Sequence, residues 1–281
     1  MKMIQFGYYP GGKLKAVTMS FDDGQIHDRR LVEIFNKYGI KGTFHLNSGR
    51  INEEWCVGPE EFDTLYKGHE ISLHSYNHPS LAMTPPQVQV AEMLKDRQIL
   101  EEAAGYIVNG MSYPNGSISD ELVDTLKSIG VVYSRTTLAT GKFKLPDDFL
   151  LWHPTMHYSR RPGNTDPFGK PDNEVLMEKA KEFVDRMWWY QDMPLLSVWG
   201  HSYEFDKDNN WEVIENFCEY ISKCEDVWFA TNIEIYNYVQ ALKSLQISAD
   251  CSIIYNPSAT DVWIAVDREP VEIKAGTTVK L

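Results

Sequence analysis

Two short segments carry most of the chemistry this chain can perform. Ser20-Phe21-Asp22-Asp23-Gly24 offers two adjacent carboxylates, and His74-Ser75-Tyr76-Asn77-His78 offers two imidazoles four residues apart. One carboxylate and two imidazoles make a ligand set for a divalent metal, and the second carboxylate remains for proton transfer. Neighbouring residues of a strand point to opposite sides, so Asp22 and Asp23 are expected to divide the work, one on the metal and one on the substrate side. Gly24 lets the backbone turn sharply behind them. Pro79 pushes His78 towards extended backbone, which favours a loop folded back over a strand end rather than a helical i, i+4 pair.

Three further segments are weaker in isolation. Tyr113-Pro114-Asn115-Gly116 fixes a tight turn whose backbone N–H groups could face a developing oxyanion. His201, in Val198-Trp199-Gly200-His201-Ser202, titrates near neutral pH and suits a general acid, with Glu204 placed to orient it. Trp152, Tyr158, Trp199 and Tyr203 supply aromatic surface of the kind on which sugar rings stack, with packing of the barrel top as the alternative, while His153 and His157 read first as polar loop residues and, as the alternative, as pocket residues.

These residues need a scaffold that brings them to one place. Strand-like runs at 16–21, 42–46, 70–73, 110–113, 131–134, 149–152, 195–199 and 227–229 alternate with helical patterns. Gly39 is a natural helix C-cap, Thr84 an N-cap for a long helix ending near Gly105, and Thr231 with Glu234 a capping box for the last long helix. Such alternation predicts an α/β fold of parallel strands with helical crossovers, and the number of runs suits a closed (β/α) barrel better than an open sheet. In a barrel the C-terminal strand ends share one face, and Asp22, Asp23, His74, His78, Pro114 and His201 all fall at such ends. From Gln246 the helical pattern disappears, and short runs at 251–255, 262–266 and 271–274 read as strands. The expected organisation is therefore a barrel over 1–245 and a small β appendage over 246–281, packed on the barrel or on a neighbouring subunit. Residues 159–173 form the expected long loop.

The bulk properties narrow the function classes. The chain has 281 residues and a formal net charge of −13, an acidity that argues against nucleic-acid and anionic-membrane partners. No apolar run reaches the roughly 18 residues of a membrane span. The start, Met1-Lys2-Met3-Ile4, has no apolar signal segment, and Cys56, Cys218, Cys224 and Cys251 form no CxxC pair, so reduced thiols and a cytoplasmic location are expected.

Taken together, the segments resemble the polysaccharide deacetylase family (carbohydrate esterase family 4-like, the chitooligosaccharide deacetylase homology domain), metal-dependent enzymes that remove N- or O-acetyl groups from sugars. Ser20–Gly24 resembles the first family motif, Thr-Phe-Asp-Asp-Gly, with Ser for Thr; His74–His78 is similar to the second, His-(Ser/Thr)-x-x-His; Tyr113–Gly116 and the strand ending in His201 resemble the third and the last. The resemblance spans roughly residues 14–245 and implies a distorted (β/α) barrel, commonly of seven strands; seven to eight are expected here. It implies that Asp23, His74 and His78 hold the metal, zinc by default with cobalt, nickel or iron as alternatives. It makes Asp22 the general base, His201 the general acid and the backbone N–H of Asn115 an oxyanion donor. The arginine that usually pairs with the base aspartate is missing from Met111-Ser112-Tyr113-Pro114, and Arg135 is the candidate to replace it; the tryptophan-bearing fourth motif has no clear match. The expected partner is an acetylated saccharide, with small non-sugar amides, or a non-catalytic metal- or carbohydrate-binding role, as alternatives. The C-terminal appendage also allows a homo-oligomer.

Overall fold

Every residue of the strand Lys15–Asp22 is buried, yet from Thr18 onward every second one is polar. Val17, Met19 and Phe21 join the apolar core beneath the helices. Thr18, Ser20 and Asp22 instead hydrogen-bond to side chains from other segments. This period-2 split is what a barrel requires when its interior must carry chemistry.

The structure, a computed structural model, describes residues 2–163 and 170–281. In chain order the elements are β1 (Ile4–Phe6), β2 (Lys15–Asp22), α1 (Asp28–Tyr38), β3 (Gly42–Leu46), α2 (Phe62–Leu65), β4 (Glu70–Leu73), α3 (Pro86–Ala104), β5 (Gly110–Ser112), α4 (Asp120–Ser128), β6 (Tyr133–Arg135), β7 (Met156–His157), α5 (Val175–Asp185), β8 (Leu195–His201), α6 (Ser202–Lys207), α7 (Trp211–Ile221), β9 (Val227–Phe229), α8 (Asn232–Ser244) and the C-terminal strands β10 (Gln246–Ile247), β11 (Ile253–Tyr255), β12 (Val262–Val266), β13 (Glu269–Ile273) and β14 (Thr278–Lys280).

The parallel sheet runs β6-β5-β4-β3-β2-β8-β7, and β9 pairs with the start of β2. Its two edges are joined by one segment. Trp152 exchanges backbone hydrogen bonds with Ser134 and Thr136 beside β6, and four residues later β7 pairs with β8. The result is the distorted (β/α) barrel of seven to eight parallel strands that the alternation and the family resemblance together anticipate. Parallel register sets Asp22 opposite both His45 and His201, and Ser112 opposite Arg135.

Three local expectations are corrected. Residues 149–152 hold a 3-10 turn rather than a strand, because the Asp148 side chain accepts from Leu150 N–H and closes the backbone locally. Thr84 does not cap α3: its hydroxyl bonds back to the Leu81 carbonyl, Pro85 occupies the N-cap, and Pro86 starts the helix. β1 pairs antiparallel with β12, so the C-terminal sheet β1-β12-β13 draws on both ends of the chain. Its Val262, Ile264 and Ile273 share a core with Ala16 and Leu195 of the barrel and with Tyr238 of α8, so the sheet packs on the barrel. Gly39 and Gly105 end their helices in the left-handed region, and Thr231 with Glu234 caps α8 reciprocally. In the expected loop 159–173, residues 164–169 lie outside the described residues, and the remainder holds no helix or strand. Among the described residues no helix is long and apolar enough to cross a membrane.

Candidate metal centre and active site

Asp22 is the last residue of β2, and Asp23, just beyond it, has φ 81°. That turn changes the expected geometry. The two carboxylates do not diverge to opposite sides; both face His74, whose Nε2 lies 3.9 Å from Asp22 Oδ2 and 3.7 Å from Asp23 Oδ1. Gly24 makes the turn possible: its φ is +63°, and a Cβ there would come within 2.7 Å of Leu46 Cδ2. His78 is also corrected. It is not extended but sits at φ 62°, as Ser75 does, and its N–H is tied to Ser75 Oγ. The loop thereby folds back and sets His78 Nε2 3.1 Å from His74 Nε2 and 3.7 Å from Asp23 Oδ1.

Hydrogen bonds from beneath fix the loop and the proton positions. Asp96, fully buried on α3, accepts the backbone N–H of Ser48 at 2.8 Å and of His74 at 3.1 Å. Asn47 donates to the carbonyls of His74 and Ser75. His74 Nδ1 faces the Ser112 carbonyl at 3.0 Å; a carbonyl can only accept, so Nδ1 carries the proton and Nε2 presents its lone pair. Two imidazole nitrogens and the buried Asp23 Oδ1, which has no hydrogen-bond partner, thus converge on one point. Burial lowers the pKa of His74, against the pull of Asp22 and Asp23, and burial followed by the neighbouring His74 pushes His78 down to about 4. Neutral imidazoles beside an orphaned carboxylate oxygen fit a divalent cation, and their separations are close to the roughly 3.3 Å edge of a tetrahedron with 2.0–2.1 Å bonds.

Asp22 is held differently. Arg135, fully buried on β6, reaches both of its oxygens through Nη2, while its Nε bonds Ser20 Oγ at 3.1 Å. Ser112 Oγ lies 3.0 Å from Asp22 Oδ1 and 2.7 Å from His74 Nδ1, bridging the two. Burial alone would raise the Asp22 carboxyl; Arg135, followed by His74, overrides it and holds the group well below the usual carboxylate range.

His201 ends β8 in register with Asp22. Its Nδ1 lies 3.3 Å from Glu204 Oε2, the same oxygen that accepts the His201 backbone N–H at 3.1 Å. Burial would lower this imidazole, but Glu204, helped by Asp23 and Asp22, raises it to about 9. The expected turn at Tyr113–Gly116 is a 3-10 turn with Asn115 at φ 56°; its side chain bonds Ser80, two residues beyond His78, so the turn borders the histidine loop. Trp152 and Tyr158 are fully buried core residues, which removes them as sugar platforms, whereas Trp199 lines a cavity of about 470 Å³ with Leu138, His157, Arg160, His201 and Glu204. His157 is therefore no loop residue, while His153 bonds Thr136 instead. Ser112 and Asp96 carry no motif signal and were not legible as site residues; their role follows from which strand and helix lie alongside.

Fold and site together define a (β/α)-barrel protein with a His/His/carboxylate cluster at the C-terminal ends of its strands. Residues 11–134 match the polysaccharide deacetylase family model. Chitin deacetylase 1 of Cryptococcus neoformans var. grubii is 27% identical over 138 residues, covering 48% of this chain and 28% of that protein. A Mycobacterium smegmatis structure assigned as a polysaccharide deacetylase superposes with a TM-score of 0.65 at 19% identity, covering 85% of this chain and 94% of the other. A family 4 acetyl xylan esterase from Clostridium thermocellum, solved with cobalt, gives 0.50 at 16% identity, covering 79% and 90%. The chain spans about a quarter of the length of the curated relatives it matches first.

Proposed function

We propose that this protein is a metal-dependent hydrolase that removes acetyl groups from a saccharide. The observation that carries the reading is the convergence of Asp23 Oδ1 with the two Nε2 atoms of His74 and His78, next to a separate, ionised Asp22. In this reading Asp23, His74 and His78 hold the cation, zinc first, with cobalt, nickel or iron also compatible with the donors. When bound, such a cation acidifies water and polarises a carbonyl.

The remaining work falls to the chain's own groups. Asp22, kept ionised and aimed by Arg135 and Ser112, takes a proton from the attacking water. The water oxygen bonds the acyl carbon, and the backbone N–H of Asn115 supports the oxyanion that forms. His201, held protonated by Glu204, gives its proton to the departing nitrogen or oxygen as the C–N or C–O bond breaks, and acetate is released. The likeness to a chitin deacetylase supports an N-acetyl substrate, and the shared fold of an acetyl xylan esterase is compatible with an O-acetyl one.

Acetate release from acetylated mono- and oligosaccharides tests the reading, with and without chelator, for wild type and Asp22→Asn. Chelation is expected to abolish release, and Asp22→Asn to slow it by about 10²–10⁴-fold. Chelator-insensitive release, or an unimpaired Asp22→Asn enzyme, overturns it.

A further inference from the structure

Beside the Asp23 cluster lies a second convergent group, His157, His201 and Glu204. A single oxygen, Glu204 Oε2, lies beside three nitrogens: His157 Nε2 at 3.0 Å, His201 Nδ1 at 3.3 Å, which is an ion-pair contact rather than a hydrogen bond, and the backbone N–H of His201, which it accepts at 3.1 Å. Such a set has two physical readings, a second metal site or a triad held by charge and hydrogen bonding. The far side of the His157 ring decides between them. Its Nδ1 faces the backbone N–H of Ser159 at 3.3 Å. An amide N–H can only donate, so Nδ1 is the acceptor, and the proton of the neutral ring sits on Nε2, pointing at Glu204. A cation would need a lone pair on that atom.

The fold supplies a reason for the arrangement. Glu204 lies in the first turn of the short helix α6, where the His201 backbone N–H holds its Oε2 as one half of a capping box. His157 comes from elsewhere: the two-residue strand β7 registers Met156 with Val198 and His157 with Trp199, bringing the ring level with the end of β8. There it is buried, edge-on to Trp199 with ring centres 4.7 Å apart.

We propose that His157 is a positioning residue: by donating from Nε2 to Glu204 it fixes that carboxylate against Nδ1 of His201, which leaves Nε2 of His201 as the atom that gives up a proton. The catalytic part rests on the reading of His201 as the acid. The titratable and charged groups around His201 are Asp22 and Asp23 at the end of β2, His157 on β7, Arg160 beyond it, and Tyr203 and Glu204 on α6. Among them Glu204 acts most strongly to keep His201 protonated, and burial opposes it, so a loosened Glu204 lets burial prevail.

Histidine-resolved NMR titration of the full chain, under one fixed metal condition, tests the relation without relying on turnover. In wild type, ¹⁵N shifts are expected to show His157 neutral with its proton on Nε2; a proton on Nδ1 overturns the proposal and needs no variant. His157→Gln keeps an N–H donor for Glu204 and is expected to leave the His201 midpoint close to wild type. His157→Leu removes the donor and is expected to lower the midpoint by about one pH unit. An unchanged midpoint in His157→Leu, or equal displacement in both variants, overturns the proposal. The alkaline limb of acetate release is then compared. A limb that follows the NMR midpoint supports both readings; one that stays fixed while the midpoint moves removes the acid role from His201 and leaves the positioning relation supported.

Discussion

Ser112 on β5 and Arg135 on β6 stand opposite each other across the parallel ladder, and both bond the same carboxylate, Asp22. The small serine leaves room over β5 for a guanidinium arriving from the next strand. The positive charge missing from the Met111–Pro114 segment is thus present beside Asp22, supplied one strand further along. Its guanidinium carbon also lies 4.7 Å from the centre of the Trp199 ring, which links the base to the strand that ends in His201.

Arg135 is fully buried against Asp22, so removing it strands an ionised carboxylate. Arg135→Met is expected to destabilise the fold by about 3–5 kcal/mol, read by denaturant unfolding. Turnover of the folded fraction should fall by about 10²-fold or more as Asp22 loses its orientation. Arg135→Lys keeps the charge but not the reach to both Asp22 and Ser20, and is expected to fall between. An Arg135→Met enzyme with wild-type turnover would show that Asp22 needs no such partner.

The metal cluster makes a prediction that calorimetry and melting curves check without substrate. Zinc at about one hundred times its dissociation constant should stabilise the metal-free protein by about 2.7 kcal/mol, since the donors converge only in the folded state. His78→Ala and Asp23→Ala should lose that increment and the binding isotherm with it. A variant at His45, which is buried in the barrel interior against Ser20, should keep both. Undiminished zinc binding by His78→Ala would place the site elsewhere.

The pH dependence follows from Glu204. With His201 raised to about 9, the acid form persists through neutrality and is lost as pH rises past that value, so the rate should decline on an alkaline limb near 9. Glu204→Gln removes the largest influence opposing burial, and the limb should move down towards or below the ordinary 6.5. A pH–rate profile for the two proteins decides it; coincident limbs would mean that Glu204 does not govern the acid.

Much of this architecture can be read from the sequence because each element carries its own local signal. β3, β4 and β9 are bounded as the apolar runs predict, and Gly39 and Gly105 mark true helix ends. The Asp and His segments stand out because they end such runs. What leaves no local trace is pairing between distant segments. β7 is only two residues long, β1 finds its partner at the far end of the chain, and the contact of Arg135 with Asp22 spans 113 positions. The turns at Asp23 and His78 rest on positive φ values, which Asp and His adopt more often than most residues but still seldom, so strand alternation at Asp23 and Pro79 after His78 make extended backbone the expectation there.

The barrel floor offers a last test of how polar its interior is. Glu70 on β4 accepts from Thr43 Oγ1 and Ile233 N–H at 2.9 Å each and from the Tyr133 hydroxyl at 2.6 Å. Gly110 admits that tyrosine, since a Cβ there would lie 2.1 Å from its ring. Burial nevertheless outweighs these bonds and raises the Glu70 carboxyl to about 7 from an ordinary 4.5. A raised acid contributes stability that is fully present below 4.5 and is lost as pH climbs through about 7, on the order of 3 kcal/mol in all. Glu70→Gln cannot ionise, and its amide can donate to the Tyr133 oxygen while that hydroxyl turns to Ser72, 3.0 Å away. Its unfolding free energy should therefore fall less between pH 5 and pH 8 than that of wild type, by about that amount. An equal fall in unfolding free energy for the two proteins between urea titrations at pH 5 and at pH 8 would mean that Glu70 ionises inside the barrel as readily as it does in the unfolded chain.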